Sequence, residues 1–320
     1  MNDLLGLAGS FTLTTRKVVM KDGAPVYTST GEPVWADAPV VRAEFTNLIL
    51  NSGLDSLGYR NPIGGVVVGS GTSIPAISQT SLDQVVAVTN IVQSSQPGIR
   101  NTSPPYLSRH TWTYRFDVGA AAGNLTEVGV GWDIYAADNI GGLFSRSLIK
   151  DVSGNPIAIT ILSDEVLDVA YSLQLQPPQT DVSGQVDIGG VTYNYTIRAA
   201  NVNSGIWAPS TLGGDNFKYA IALSGGLEDI TGQPQGSGSV DIQSVRRTYI
   251  AGSYQHIYDL PFNLNAGNVA GGVRSIYLTT NFGEYQISFS NASTGETIPK
   301  DNTKILNIPF VVSWGRTNVL

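Results

Sequence analysis

Apolar and polar residues alternate with a period of two along most of this chain, a pattern that builds strands with one buried face and excludes a mainly helical body. In residues 111–118, Trp112, Tyr114, Phe116 and Val118 form one set and Thr111, Thr113, Arg115 and Asp117 the other. Residues 125–134 repeat the pattern through Val128, Val130, Trp132 and Ile134, with Gly129, Gly131 and Asp133 between them. Glycines inside a strand mark a bulge or the close approach of another backbone. Leu167, Val169, Tyr171, Leu173 and Leu175 alternate with polar or small residues as far as Pro177-Pro178, where the missing N–H groups stop a ladder. Beyond the prolines the same pattern returns in Val191, Tyr193, Tyr195 and Ile197, and again in Tyr285, Ile287 and Phe289.

Turn-forming clusters such as Lys21-Asp22-Gly23 and Ser153-Gly154-Asn155-Pro156 separate these runs, as hairpins require. The expected fold is therefore all-β, with two antiparallel β-sandwich or barrel-like domains. One short helix is expected near residues 44–57, where Phe45, Leu48, Ile49, Leu54 and Leu57 can share a face ahead of Gly58. The expected divisions are an extended N-terminal arm or hairpin over residues 1–40, a first sandwich over 41–177 and a second over 178–320.

Only 13% of the residues are charged, against roughly 25% in ordinary soluble domains. The net charge of −7 leaves no basic face for a phosphate backbone, so nucleic acid is not an expected partner. With no cysteine and two histidines, one chain cannot build a Cys/His zinc site, and no metal or cofactor is expected. No apolar run is long enough to cross a bilayer, and residues 1–8 lack the basic segment of a secretory leader. Such a chain suits assembly in a reducing cytoplasm followed by service outside a cell without disulfides, conditions that structural proteins of virus particles meet.

Candidate chemistry is sparse. Asp164, Glu165 and Asp168 are the best carboxylate cluster for two-acid glycoside cleavage. The competing reading places the first two in a turn and Asp168 on the polar face of the next strand, and no catalytic residue is expected. His110 and His256 have no nucleophile-elbow motif near them. Gly69-Ser70-Gly71-Thr72 and Gly129-Val130-Gly131 lack the spacing of phosphate-binding loops and are expected in turns and strands. Tyr249, Tyr254, His256 and Tyr258 are the candidate host-surface contact, an exposed aromatic face for a glycan or pilus, with burial in a β core as the alternative.

Several ordered segments carry a resemblance. FTNLILNSGLDSLG (residues 45–58), VGSGTSIPAISQTSLDQ (68–84), YRFDVGAAAGNLTEVGVGW (114–132) and LFSRSLIKDVSGNPIAITILSDEVLDVAYSLQLQPP (143–178) resemble parts of tail fibre and related tail proteins of tailed bacteriophages. The resemblance implies a non-enzymatic structural subunit of the phage tail in the virion, synthesised in the cytoplasm of the bacterial host. Such a subunit is a homo-oligomer, commonly a trimer, that contacts other tail proteins, and residues 41–177 would be its tail-attachment domain. The chain has no collagen-like repeat and no heptad shaft, which favours a compact tail-tip, baseplate or fibre-attachment role. A polysaccharide-degrading tail protein and a capsid decoration or head-fibre protein are the alternatives.

Overall fold

The computed structural model describes residues 2–214, 217–239 and 246–317. Within them the chain is all-β, as the alternation predicts, and three sheets dominate. An eight-stranded sheet runs in the order Arg246–Tyr249, Gln255–Phe262, Leu306–Arg316, Asn2–Lys17, Glu165–Gln176, Ser108–Phe116 and Val92–Arg100, with Val40–Thr46 paired alongside Asn2–Lys17. A five-stranded sheet has the order Leu48–Ile49, Asn139–Leu148, Glu127–Ala136, Gly65–Gly69 and Val85–Thr89. A six-stranded sheet has the order Val182–Ile188, Val191–Ala199, Gly283–Asn291, Ser275–Thr280, Phe217–Leu223 and Gly238–Ser239.

The two smaller sheets share the large one. Tyr171 of the large sheet meets Phe144 of the five-stranded sheet edge-on at 6.3 Å. Phe310 of the large sheet meets Tyr285 of the six-stranded sheet at 5.2 Å. Residues of all three sheets belong to one continuous buried cluster. The result is two sandwiches built on a single continuous layer, and the cut expected at Pro177-Pro178 does not divide the large sheet. Glu165–Gln176 does end just before those prolines, but Asn2–Lys17, which it pairs with, is itself paired with Leu306–Arg316 from the far end of the chain.

Residues 2–17, expected as part of an arm, instead form an interior strand of the large sheet. Asn2–Lys17 pairs antiparallel with Glu165–Gln176 along one edge. Its other edge is shared by two strands in succession. Asn2 to Leu7 pair in parallel with Leu306–Arg316, and Ser10 to Thr15 pair antiparallel with Val40–Thr46. The physical reason is its own alternation, since Leu5, Leu7, Phe11 and Leu13 are fully buried and an extended arm would leave them in water. The exposed hairpin is confined to the following residues, where Met20–Lys21 pairs with Ala24–Pro25.

The helix is shorter than the sequence suggests, covering only Asn51–Ser56. Residues 44–46 and 48–49 are strand, because Phe45 lies opposite Phe11 and Ile49 opposite Ser145 in their ladders. The glycines of 129–131 do mark a bulge. The register against Asn139–Leu148 slips between Val130 and Gly131, and a Cβ on Gly131 would sit 1.9 Å from the Gly142 carbonyl oxygen. The five-stranded sheet is also buried on its outer side, where Leu50, Val67, Leu82, Ile134 and Leu143 form a second cluster beneath residues 70–84.

Candidate functional site

The aromatic run does not form a contact face. Gln255–Phe262 alternates strictly, with His256, Tyr258, Leu260 and Phe262 buried, so the large sheet claims the ring set for its core. Tyr249 and Tyr254 are half-buried against that core. The expectation that Tyr249, Tyr254, His256 and Tyr258 present an exposed surface is corrected accordingly.

What these residues build is a seam between the two sandwiches. Tyr249, Trp314 and Phe282 stack in series, with centroids 5.9 and 4.5 Å apart. Trp314 Nε1 donates to the Leu54 carbonyl at 2.7 Å, and the Tyr249 hydroxyl donates to Asp55, so two residues of the short helix are bonded across the seam. Burial, then the Asp55 carboxylate, push the Tyr249 phenol far above its ordinary range. His256 Nε2 lies 2.8 Å from the Gly58 carbonyl oxygen, which can only accept, so Nε2 carries a proton and donates. A Cβ on Gly58 would lie 2.4 Å from the Tyr249 ring. Gly58 therefore admits the ring, a role different from the helix stop expected of it.

The carboxylates do not converge. Glu165 and Asp168 stand three positions apart on one strand, which turns their side chains to opposite faces. Asp168 is held by both Nε and Nη2 of Arg115, each at 2.7 Å. Glu165 accepts from the Leu162 amide at 2.8 Å and faces Arg42 at 3.8 Å, while Asp164 faces Lys17 at 3.6 Å. His110 is buried against Trp112, with Nε2 2.8 Å from the Ser95 hydroxyl. Burial holds the His110 imidazole below its ordinary pKa. Among the described residues no three His, Asp or Glu side chains gather to hold a metal, and no helix is long and apolar enough to cross a membrane.

The most specialised polar arrangement lies in the resemblance segments, on residues that the motif reading passed over. Glu127, opposite Leu148, and Arg146, opposite Gly129, meet diagonally across the Glu127–Ala136 and Asn139–Leu148 ladder, both 0% exposed, with Glu127 Oε2 2.7 Å from Arg146 Nη2. Glu127 Oε1 accepts from the amides of Gly71 at 2.9 Å and Gln84 at 3.0 Å, and Oε2 accepts from Asp83 at 3.2 Å. Arg146 Nη1 reaches the Ser81 carbonyl and the Asp83 carboxylate at 3.4 and 3.3 Å. Asp83 Oδ2 in turn accepts from the Ser73 amide at 2.9 Å. Hydrogen bonds from Ser73, then the Arg146 guanidinium, hold the Asp83 carboxyl below its ordinary range.

This network latches both ends of the loop 70–84 to the sheet. Within Gly69-Ser70-Gly71 a single amide, that of Gly71, donates to the Glu127 carboxylate, while the Ser70 amide donates to the Gln84 carbonyl at 2.9 Å. A Cβ on Gly71 would lie 2.4 Å from Glu127 Oε1, which explains the glycine. The far side of the loop is tied by Asn51, whose amide donates to the Ile77 carbonyl at 2.8 Å. The loop is thus fixed while its crest stays in water, with Ile74 84% exposed. A buried ion pair repays its desolvation only when its remaining hydrogen-bonding positions are filled, and the buried Arg146 Nε has no partner, so the pair fixes where the loop sits more than it adds stability. One sequence signal could have found it, the two charged residues Glu127 and Arg146 set beside apolar or small strand residues, Val128-Gly129 and Ser145 with Ser147.

No family model matches the chain, and no curated protein or solved structure matches it either.

Proposed function

We propose that this protein is a structural component of a bacteriophage tail, a fibre, tip or baseplate subunit that acts by assembling with copies of itself and with other tail proteins. The observation that carries the reading is the way the resembling segments meet. The 68–84 loop is latched by Glu127 from the 114–132 segment and by Arg146 from the 143–178 segment. It is also tied to Asn51 from the 45–58 segment. Residues scattered over the sequence thus serve one device, a preset loop with an apolar crest, which suits docking against another protein of the particle.

The polysaccharide-cleaving alternative draws no support from Asp164, Glu165 and Asp168, which are spread over two faces and engaged by Lys17, Arg42 and Arg115. Host-surface contact through the 249–258 aromatics draws none either, since two of the four are fully buried.

Immunogold labelling of purified particles with antibody to the full chain tests the role, and light scattering tests the assembly. Label on the tail and a scattering mass of several chains are expected. Label on the capsid, or release of reducing ends from host surface glycan by the purified protein, would overturn the reading.

A further inference from the structure

We infer that the cleft of the second sandwich walled by residues 271–272 and 291–299 is a binding site for a neutral saccharide. The site goes beyond the assembly role proposed above and does not depend on it.

The cleft has a volume of about 680 Å³, inside the roughly 300–1,000 Å³ of small-molecule sites. Its floor is the end of the ladder between Val191–Ala199 and Gly283–Asn291, where Tyr193 lies opposite Asn291. Its walls are preset by bonds within the chain. Val273 and Ile298 exchange backbone hydrogen bonds of 2.8 and 3.0 Å, the Asn291 amide donates to the Glu296 carbonyl at 2.7 Å, and the Thr297 hydroxyl donates to the Gly271 carbonyl at 2.5 Å. Gly272 lets the walls meet, since a Cβ there would lie 2.4 Å from Thr297 Oγ1. A site fixed in this way binds without the cost of ordering its loops.

What marks the cleft as a site is a polar group left over at the rim of the core. Tyr193 lines the cleft with only 3% of its surface exposed, and among the described residues nothing hydrogen-bonds its hydroxyl. The hydroxyl is not sealed off from water, so its outlet for hydrogen bonding is the cleft. Burial, then the Glu296 carboxylate, raise the Tyr193 phenol above its ordinary pKa while Lys304 opposes them, which puts both charges near the hydroxyl. Two lining side chains are half used. Asn291 Oδ1 accepts from the amides of Ser293 and Thr294 at 2.9 and 3.1 Å, which leaves its NH2 group to donate elsewhere. Glu296 Oε2 accepts from the Thr294 hydroxyl at 3.0 Å, which leaves Oε1 as an acceptor.

A donor, a charged acceptor and a hydroxyl that does both are what adjacent hydroxyls of a sugar ring require, since each donates to one group and accepts from another. Val191, 39% exposed, and Pro299 offer an apolar wall to the C–H groups of such a ring. Other ligand classes fit less well. Glu296 is the only carboxylate among the described lining residues, too few for a divalent cation. An anion would meet Glu296, while Lys304 is engaged by Asp301 at 3.3 Å.

The test is saturation-transfer NMR on the full chain with glucose, galactose, mannose and N-acetylglucosamine, followed by titration of any sugar that responds. At least one is expected to receive saturation and to bind at millimolar concentration. Tyr193→Phe removes the hydroxyl, keeps the ring in the core, and is expected to weaken that sugar about two- to tenfold, the worth of one hydrogen bond between neutral groups. Glu296→Gln, at an exposed position, is expected to weaken it more, because a charged acceptor is lost. Absence of transfer to all four sugars overturns the inference, as does binding that neither change weakens. Particle labelling and scattering mass are read separately, so label found away from the tail sinks the tail role and leaves the site standing, and a cleft silent to sugars does the reverse.

Discussion

The two sandwiches solve one problem in two ways. Each small sheet covers the shared layer on its inner side and carries a small apolar cluster on its outer side, Leu50, Val67, Leu82, Ile134 and Leu143 in the first, Ala200, Leu223 and Tyr277 in the second. Each must also hold a loop against that outer side. In the first the holder is charged, Glu127 against Arg146. In the second it is neutral. The Gln286 side chain, fully buried, donates through Nε2 to the carbonyls of Glu228 and Asp229 at 3.1 and 3.2 Å, and its Oε1 accepts from the Glu228 amide at 2.8 Å. A neutral amide satisfies two or three backbone groups at small desolvation cost, whereas the ion pair engages a longer loop at more points and is costly if broken. The charged holder sits where the loop crest faces water with apolar side chains, and there exact placement matters most.

The largest effect expected is on both regions at once. Deleting residues 2–17 removes the strand that joins the first sandwich to the last strand of the chain, so both halves should lose protection from hydrogen exchange together. A second half that stayed protected would show that the sandwiches are separable and that the shared sheet is not what unites them. Next comes the charged holder. Arg146→Ala leaves Glu127 buried without its counter-charge and should cost about 3–5 kcal/mol by denaturant unfolding, with the loop 70–84 exchanging first. The double variant Glu127→Gln/Arg146→Met, which removes both charges and keeps the volume, should recover most of that loss. A double variant no more stable than Arg146→Ala would mean that the charges themselves, and not their pairing, are needed.

Much of this frame is legible in the sequence. The alternations at 111–118 and 167–175 name the buried sides of two neighbouring strands of the large sheet, and the glycines at 129 and 131 announce the bulge. The shared sheet is not legible, because nothing local tells Asn2–Lys17 that its neighbours are residues 165–176 and 306–316. A two-residue period fixes which face is buried and leaves the partner open. The prolines at 177 and 178 mark the end of a strand faithfully, yet a strand end is not a domain end when the next strands rejoin the same layer. The site shows the same asymmetry. Exposed-looking tyrosines at 249–258 are the natural suspects, but strand alternation buries His256 and Tyr258, while Glu127 and Arg146 acquire meaning only once adjacent strands bring them diagonally together.

Smaller effects sharpen the contrast between the two holders. Gln286→Ala should cost about 1–3 kcal/mol, because the Glu228 amide and the Glu228 and Asp229 carbonyls lose their buried partner without leaving a charge behind. A loss as large as that of Arg146→Ala would erase the distinction drawn between neutral and charged holders. Gly58→Ala tests the seam instead of either holder. Its new methyl meets the Tyr249 ring, so stability should fall by about 1–3 kcal/mol, while Gly58→Ala/Tyr249→Leu, which clears the space, should lose less than the sum of its single changes.

The least costly probe is pH. In the folded chain Asp83 is held below its ordinary value of 3.8 by Ser73 and Arg146. A depressed carboxyl favours the folded loop above its unfolded value, and that contribution fades as pH falls through the unfolded value and then the folded one. Gln286 has no proton to gain in that range. Limited proteolysis with an acid-active protease should therefore cut the 70–84 loop progressively faster as the pH drops below about 4, and the 225–232 loop should rise less, since its own depressed carboxyl, Asp229, accepts from Thr231 within the loop and not from the sheet. Asp83→Asn should make the first loop open at neutral pH and flatten its acid response, since the asparagine cannot take up the proton. If the two loops instead open in step on acidification, and the Asn variant tracks wild type, the first loop is held by its apolar contacts around Leu82 and the charged latch is incidental to it.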